Sequence, residues 1–304
     1  MIIAGSASQN LGAKVAKLLN KKFASVDTWK FPDGERYTRI KDEIPDEVVI
    51  IQSTYYPQDE NLMELLFLIS TAKDLGASKI TVVTPYMGYA RQEKRFNDGE
   101  SISAKTVANL LEAAGATEFI TLNIHEESVL DFFNIEAKNL SAMAPIAKHI
   151  STIVEDEPII IAPDKGAFPF AEEIAKLLDC TCTYLSKVRL GPDKVETRIV
   201  DLRCDLSEDD LKKHSNVNID SVKGKEAIII DDIIATGGTI INAINILKEQ
   251  GAKNVNVSCV HPILVKGATI RIYAAGCESI ISTDTISSDT SLVSVAELIA
   301  DALK

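Results

Sequence analysis

Two adjacent carboxylates, Asp231 and Asp232, stand just before Ile233-Ile234-Ala235 and the run Thr236-Gly237-Gly238-Thr239. Such a pair is costly to bury without partners, so it faces a crevice holding hydroxyls, a metal or cationic side chains. Glycines let backbone N–H groups converge with no Cβ in the way, and the threonine hydroxyls add donors. With a helix N-terminus behind it, this turn makes a phosphate cradle. No lysine follows the glycines, so it is not a Walker A loop. A plain βα turn with acidic neighbours has some of these features but rarely all of them together.

Four other groups of residues are suited to chemistry. Pro85-Tyr86-Met87-Gly88-Tyr89-Ala90-Arg91-Gln92 follows an apolar run, where Arg91 can stack on a purine or pair with phosphate and Gln92 can hydrogen-bond. A structural turn with Arg91 in a salt bridge is the alternative. His125 ends another apolar run, and a lone histidine is more often a surface or core residue than a ligand. Asp164, Lys165 and Gly166 form a turn suited to a diphosphate or its metal ion. Lys187 and Arg189, two apart in a basic stretch broken by Gly191-Pro192, read as an exposed loop whose charges are either solvated or clamp a transferring phosphoryl group. Phe31-Pro32-Asp33-Gly34-Glu35 reads as an acidic surface turn.

The elements that must position these residues follow from periodicity. Ala227 to Ile230 is a short β-branched run without polar alternation, which fits a strand buried on both faces of a parallel sheet. Ile240, Ile241, Ile244 and Leu247 mark a helix to about Gln250, with Gly251 as its stop. Further strands are expected near Ile2 to Ala4, Val48 to Gln52, Ile80 to Thr84, Phe119 to Asn123, Ile159 to Ala162, Val255 to Val260 and Ser279 to Thr283. Their alternation with amphipathic stretches gives an α/β fold with mostly parallel sheets flanked by helices. Two successive sets divide around Ser141 to Glu157, so two similar domains are expected, 1–143 and 144–304. The duplication is topological, with no repeat in the sequence itself.

The 304 residues suffice for two domains with cores of their own. A formal net charge of −12 opposes loose association with nucleic acid or an anionic membrane, and leaves polyphosphate substrates dependent on local cations and Mg²⁺. No apolar run approaches a membrane span, and the N-terminus lacks a basic region and a sustained apolar core. Five cysteines make no disulfide framework, and the reading is a reduced, cytoplasmic protein with Cys180 and Cys182 as packed core thiols.

Asp231-Asp232-Ile233-Ile234-Ala235-Thr236-Gly237-Gly238-Thr239 resembles the ribose 5-phosphate signature of phosphoribosyl pyrophosphate chemistry. With the other four groups the whole chain is similar to the ribose-phosphate pyrophosphokinases. That resemblance implies two phosphoribosyltransferase-like domains with the active site between them, and a last helix packing back on the first domain. It implies that Phe31, Asp33 and Glu35 reach the adenine of ATP from a neighbouring subunit, while Arg91 and Gln92 come from the subunit that catalyses. His125 would support Mg²⁺·ATP and Asp164 would lie in the pyrophosphate-and-metal turn. Asp231 and Asp232 would hold the ribose hydroxyls, Thr236, Gly237, Gly238 and Thr239 the 5-phosphate, and Lys187 and Arg189 would belong to a catalytic flexible loop. A homo-oligomer, dimer or higher, follows from an ATP site shared between subunits. The implied reaction carries the diphosphoryl group of ATP to the 1-hydroxyl of ribose 5-phosphate.

Three positions depart from the family pattern. Ala235 stands where many relatives have Asp, Asn123 where Asp is often found, and Lys165 where a neutral residue or His is usual. Together they point to an archaeal-type variant. The rival readings are a phosphoribosyltransferase with a second domain, which would release no AMP from ATP, and a regulatory homologue, which would have lost the cationic pair Lys187 and Arg189.

Overall fold

Runs of isoleucine and valine fold into the strands of two sheets. The computed structural model describes residues 1–191, 194–199 and 222–304, with side chains for 1–185 and 222–304. These fall into two compact units, the first Met1–Ala142 with Asp284–Ser288 and Ser294–Lys304, the second Met143–Thr283 with Asp289–Val293.

In the first unit, β1 (Ile2–Ala4), β4 (Glu47–Ile51), β5 (Lys79–Thr84), β6 (Glu118–Leu122) and β7 (Glu136–Leu140) form an all-parallel sheet in the order β1-β4-β5-β6-β7. Parallel strands need crossovers, here including α1 (Gln9–Leu18), α2 (Gln58–Asp74) and α3 (Ser103–Ala114). Ile50, Val82 and Phe119 from the sheet share one core with Leu65, Leu68 and Ile69 of α2 and Leu111 of α3. Gly12 lets α1 lie against β1, since a Cβ there would come within 2.5 Å of the Ala4 methyl.

Two elements of this unit were not expected from the sequence. The turn Phe31–Glu35 is the tip of an antiparallel hairpin, β2 (Val26–Lys30) with β3 (Arg36–Ile40), which joins no other strand among the described residues. The edge strand β7 carries Glu136, Lys138 and Asn139, and an edge strand needs no apolar run.

The second unit has a seven-stranded sheet in the order β10-β9-β8-β11-β12-β13-β14, parallel except for β9 with β10. The strands are β8 (Ile159–Ala162), β9 (Thr181–Gly191), β10 (Lys194–Ile199), β11 (Glu226–Ile234), β12 (Asn254–Pro262), β13 (Ile280–Thr283) and β14 (Ser291–Val293). Its helices among the described residues are α4 (Met143–Ile150), α5 (Phe168–Leu178), α6 (Gly238–Glu249) and α7 (Ala268–Ala274). Ile229, Val257 and Ile280 of the sheet pack with Ile240, Ile244 and Leu247 of α6. Cys180 and Cys182 are buried free thiols, each pushed up to about 12 chiefly by burial, in keeping with core packing.

Two local readings need correction. The strand expected to stop at Ile230 runs to Ile234, because β12 extends beside it and pairs Asp231 with Cys259 and Ile233 with His261. The acidic pair therefore lies within the strand, near its end. Of the segment expected as a loop from Lys187, Lys187 to Gly191 and Lys194 are strand, with Lys187 opposite Thr197 and Arg189 opposite Val195, while Pro192 and Asp193 lie outside the described residues. Its basic residues and Gly191 suggested a loop, but antiparallel pairing with β10 supplies the backbone partners. The side chains of Lys187 and Arg189 lie outside the described residues.

After β13 the chain gives Asp284–Ser288 to the first unit, β14 to the second, and finally α8 (Ala296–Ala302) to the first, where it packs on α1. Among the described residues no helix is long and apolar enough to cross a membrane.

Candidate active site

In the second unit the site grows from two neighbouring parallel strands, β8 and β11, where β8 ends at Ala162 and β11 runs on through the acidic pair to Ile234. From β8 the chain turns through Asp164. Its Oδ1 accepts the N–H groups of Gly166 (2.9 Å) and Ala167 (3.2 Å), which folds the turn back before α5. From β11 come Asp231 and Asp232. The Asp232 N–H donates to Asp231 Oδ1 at 3.0 Å, and the Ile233 N–H to Asp232 Oδ1 at 2.7 Å.

Burial pushes the Asp231 carboxyl up to about 9, with Asp232 and then Asp164 adding like charge. The three carboxylates therefore share one acidic field. Among the described residues no three such side chains are gathered closely enough to hold a metal ion by themselves, and positive charge brought by a bound ligand would let Asp231 ionise.

The glycine turn closes the cradle. Gly237 has φ +75°, and a Cβ there would come within 3.1 Å of Ile272 of α7. Gly238 opens on free space and starts α6, which has no side-chain cap. The first N–H groups of this twelve-residue helix thus have no side-chain cap, and Thr236 and Thr239 beside them are exposed. Arg271 donates to the Thr236 carbonyl, and the Val265 N–H to that of Ala235 at 3.0 Å, fixing the turn from behind. The sequence reading missed Arg271, which has no marker except its basic charge on the apolar α7.

In the first unit, the loop after β5 is built differently. Gly88 donates to Thr54 Oγ1 at 2.7 Å, and a Cβ there would collide with the Thr54 carbonyl. Tyr89 has φ +66°, and its hydroxyl donates to Asp59, a hydrogen bond that raises the phenol to about 12. Arg91 is exposed. Gln92 Nε2 donates to the Lys94 carbonyl and to Glu100 Oε2, both at 3.1 Å. Glu100 also accepts the Asn97 side-chain amide (2.6 Å) and the N–H groups of Phe96 (2.8 Å) and Asn97 (3.1 Å), bonds that hold it below the usual carboxylate range. Glu100 is a second residue that the sequence reading missed.

His125 follows β6, beside β5, and is exposed. It lies near enough to Glu93 to act on it: burial pushes that carboxyl up, while a backbone hydrogen bond, Lys94 and His125 together bring it below its ordinary range. At the hairpin tip, the Phe31 N–H donates to the Glu35 carbonyl (2.8 Å) and the Glu35 N–H to Asp33 Oδ1 (3.2 Å), leaving Phe31, Asp33 and Glu35 exposed. No hydrogen bond or ion pair joins this tip to Arg91 or Gln92 among the described residues.

The same assembly of parts occurs in known proteins. Residues 1–115 match the family described as the N-terminal domain of ribose phosphate pyrophosphokinase, and residues 133–294 match the phosphoribosyl transferase domain. The chain is 66% identical over 304 residues to the ribose-phosphate pyrophosphokinase of Methanobrevibacter smithii, and 53% identical over 304 residues to that of Methanothermobacter thermautotrophicus, covering all of each. The crystal structure of phosphoribosylpyrophosphate synthetase from Mycobacterium smegmatis superposes with a TM-score of 0.85 at 29% identity, over 100% of this chain and 97% of that one. From its first residue to its last, the chain belongs to the ribose-phosphate pyrophosphokinase family.

Proposed function

We propose a division of labour among the residues described above for the family's reaction, in which ATP and ribose 5-phosphate give 5-phosphoribosyl 1-pyrophosphate and AMP. Phe31, Asp33, Glu35, Arg91 and Gln92 receive ATP, the tip serving the nucleotide of a neighbouring protomer in a homo-oligomer. The turn Thr236–Thr239 holds the 5-phosphate through backbone N–H groups and hydroxyls, and Asp231 and Asp232 hold the ribose hydroxyls. The observation that carries this reading is the cradle itself, an uncapped helix N-terminus directly behind two carboxylates at a strand end.

Phosphoryl transfer needs little covalent help, and positioning with fixed charge provides most of the acceleration. Lys187 and Arg189 place cations where negative charge develops, and Asp164 with His125 attends the metal–nucleotide complex. Mg²⁺, when bound, supplies positive charge on the phosphate oxygens. An ionised Asp231 accepts a hydrogen bond from a ribose hydroxyl. The setting is the reduced cytoplasm.

Release of AMP from ATP, strictly dependent on ribose 5-phosphate, tests the activity. AMP formed at the same rate without the sugar phosphate, or none with it, would remove the assignment.

A further inference from the structure

The hairpin β2–β3 is held at its two ends by different forces. At its base, Ile40 is buried and Val26 packs on the apolar core of the first unit. Toward the tip, the face turned to α2 is polar. Arg36 Nη1 meets Glu64 Oε2 at 2.5 Å and Thr28 Oγ1 at 3.0 Å, Arg36 Nη2 meets Glu60 at 3.4 Å, and Lys30 meets Glu60 at 2.7 Å. The opposite face carries Trp29 stacked on Tyr37 (3.8 Å) with Phe31 edge-on to Tyr37.

Glu64 is no ordinary surface partner. Its side chain is 0% exposed and that of Arg36 only 13%. The same carboxylate accepts the Ser6 N–H at 2.6 Å and the Ser6 hydroxyl at 2.7 Å. Ser6 lies in the turn after β1, at the carboxyl edge of the sheet that also carries Arg91. One buried group therefore ties the sheet edge, α2 and the hairpin together. Arg36 Nε remains buried without a partner, so the guanidinium is drawn to this position by its two terminal nitrogens despite an orphaned donor. An isolated two-stranded hairpin is marginal in water, and Arg36 directly follows Glu35 of the tip.

We propose that Arg36 and Glu64 form a positioning pair that sets the direction in which the tip Phe31–Glu35 is presented to ATP. This rests on the reading that the tip receives the nucleotide. The apolar base keeps the hairpin folded, and the ion pair orients its far half. Neither residue touches the reacting atoms.

The test is the double substitution R36M/E64Q in the full chain, assayed by AMP release with each substrate varied and compared with F31A and R36K. Glutamine retains acceptor and donor for Ser6, and methionine fills the arginine stem, so no buried charge is left unpaired. The KM for ATP should rise at least ~10-fold, with the KM for ribose 5-phosphate and the kcat within about twofold of wild type and the thermal midpoint preserved. R36K keeps the charge without the fork and should raise the KM for ATP by about threefold. An unchanged KM for ATP in the folded double variant overturns the proposal. If the double variant does not fold, R36K decides alone, and an unchanged KM for ATP there has the same force. F31A separates the two levels: if it too leaves the KM for ATP unchanged, the reading of the tip has failed; if it alone raises that KM, only the positioning pair has failed.

Discussion

The glycine turn of the second unit and the arginine loop of the first occupy comparable places, each following a buried strand of a parallel sheet. They are built from opposite materials. After β11 the helix starts within four residues, and the backbone itself makes the cradle through Gly237, Gly238 and the open N-terminus of α6. After β5 no helix begins until Ser103, and the loop is held by side chains, with Thr54, Asp59 and Glu100 fixing Gly88, Tyr89 and Gln92. Backbone donors suit a phosphate, which is small and needs only N–H groups and charge. A base and its triphosphate need reach and planar contact, which only side chains give. Under the proposed division of labour, one architecture serves two ligands because its loops differ.

This contrast can be broken from outside both loops. If the charge on the transferring group is met by neither the backbone cradle nor the arginine loop, then Lys187→Ala and Arg189→Ala will each lower kcat by at least on the order of 10². Near-wild-type turnover in both variants would put that duty back on one of the two loops. Within the cradle, Gly237→Val forces a β-branched residue to φ +75° against Ile272. At a cost of about 1–2 kcal/mol for that backbone state, the KM for ribose 5-phosphate should rise ~10-fold, measured beside an unchanged KM for ATP. A larger effect from Thr239→Val would show hydroxyls, not backbone, to be the main donors.

The reverse pattern is expected in the arginine loop. Glu100→Ala removes the acceptor that holds Gln92 and the turn Phe96–Asn97, and should raise the KM for ATP about fivefold with that for ribose 5-phosphate unmoved. The smallest effect concerns stability. Burial and the neighbouring Asp232 push the Asp231 carboxyl up to about 9 in the folded chain, above its ordinary value of 3.8. The native state therefore holds more protons between these values, and stability falls as pH rises through that window. Asp231→Asn removes this slope and should raise the thermal midpoint at pH 8, with little change near pH 4. An equal effect at both pH values would mean that Asp231 is not the group responsible.

Sequence reading reached the buried strands because a parallel strand covered on both faces must be an unbroken apolar run, as in Ile159–Ala162 and the start of β11. It reached α6 because glycine punctuates both ends, with Gly251 at φ +83° beyond the helix. Strands that depend on a partner rather than on burial were hidden: Val26–Lys30, Arg36–Ile40 and Glu136–Leu140 mix charge with apolar residues, and the basic part of β9 resembles a loop until β10 lies beside it. In the site, the turn containing Gly237 was legible as local chemistry. Arg271, Glu100 and the Arg36–Glu64 pair were not, since each acts on a turn or element that folding, not local pattern, brings to it, Glu64 meeting Ser6 58 positions away.

The return of the chain to its first unit has a consequence for how this protein is made. Helix α8 buries Ile299 and Ala300 on the α1 side, Asp284 pairs with Lys14 at 2.7 Å and accepts the Val295 N–H at 2.8 Å, and the Ser53 hydroxyl donates to the Thr285 carbonyl. A ribosome that has finished the first half has therefore not supplied all the pieces of the body it began. The amino-terminal unit waits with the flank of α1 uncovered until Ala296–Ala302 has been made, and a nascent chain stalled before Ala296 would leave that surface bare.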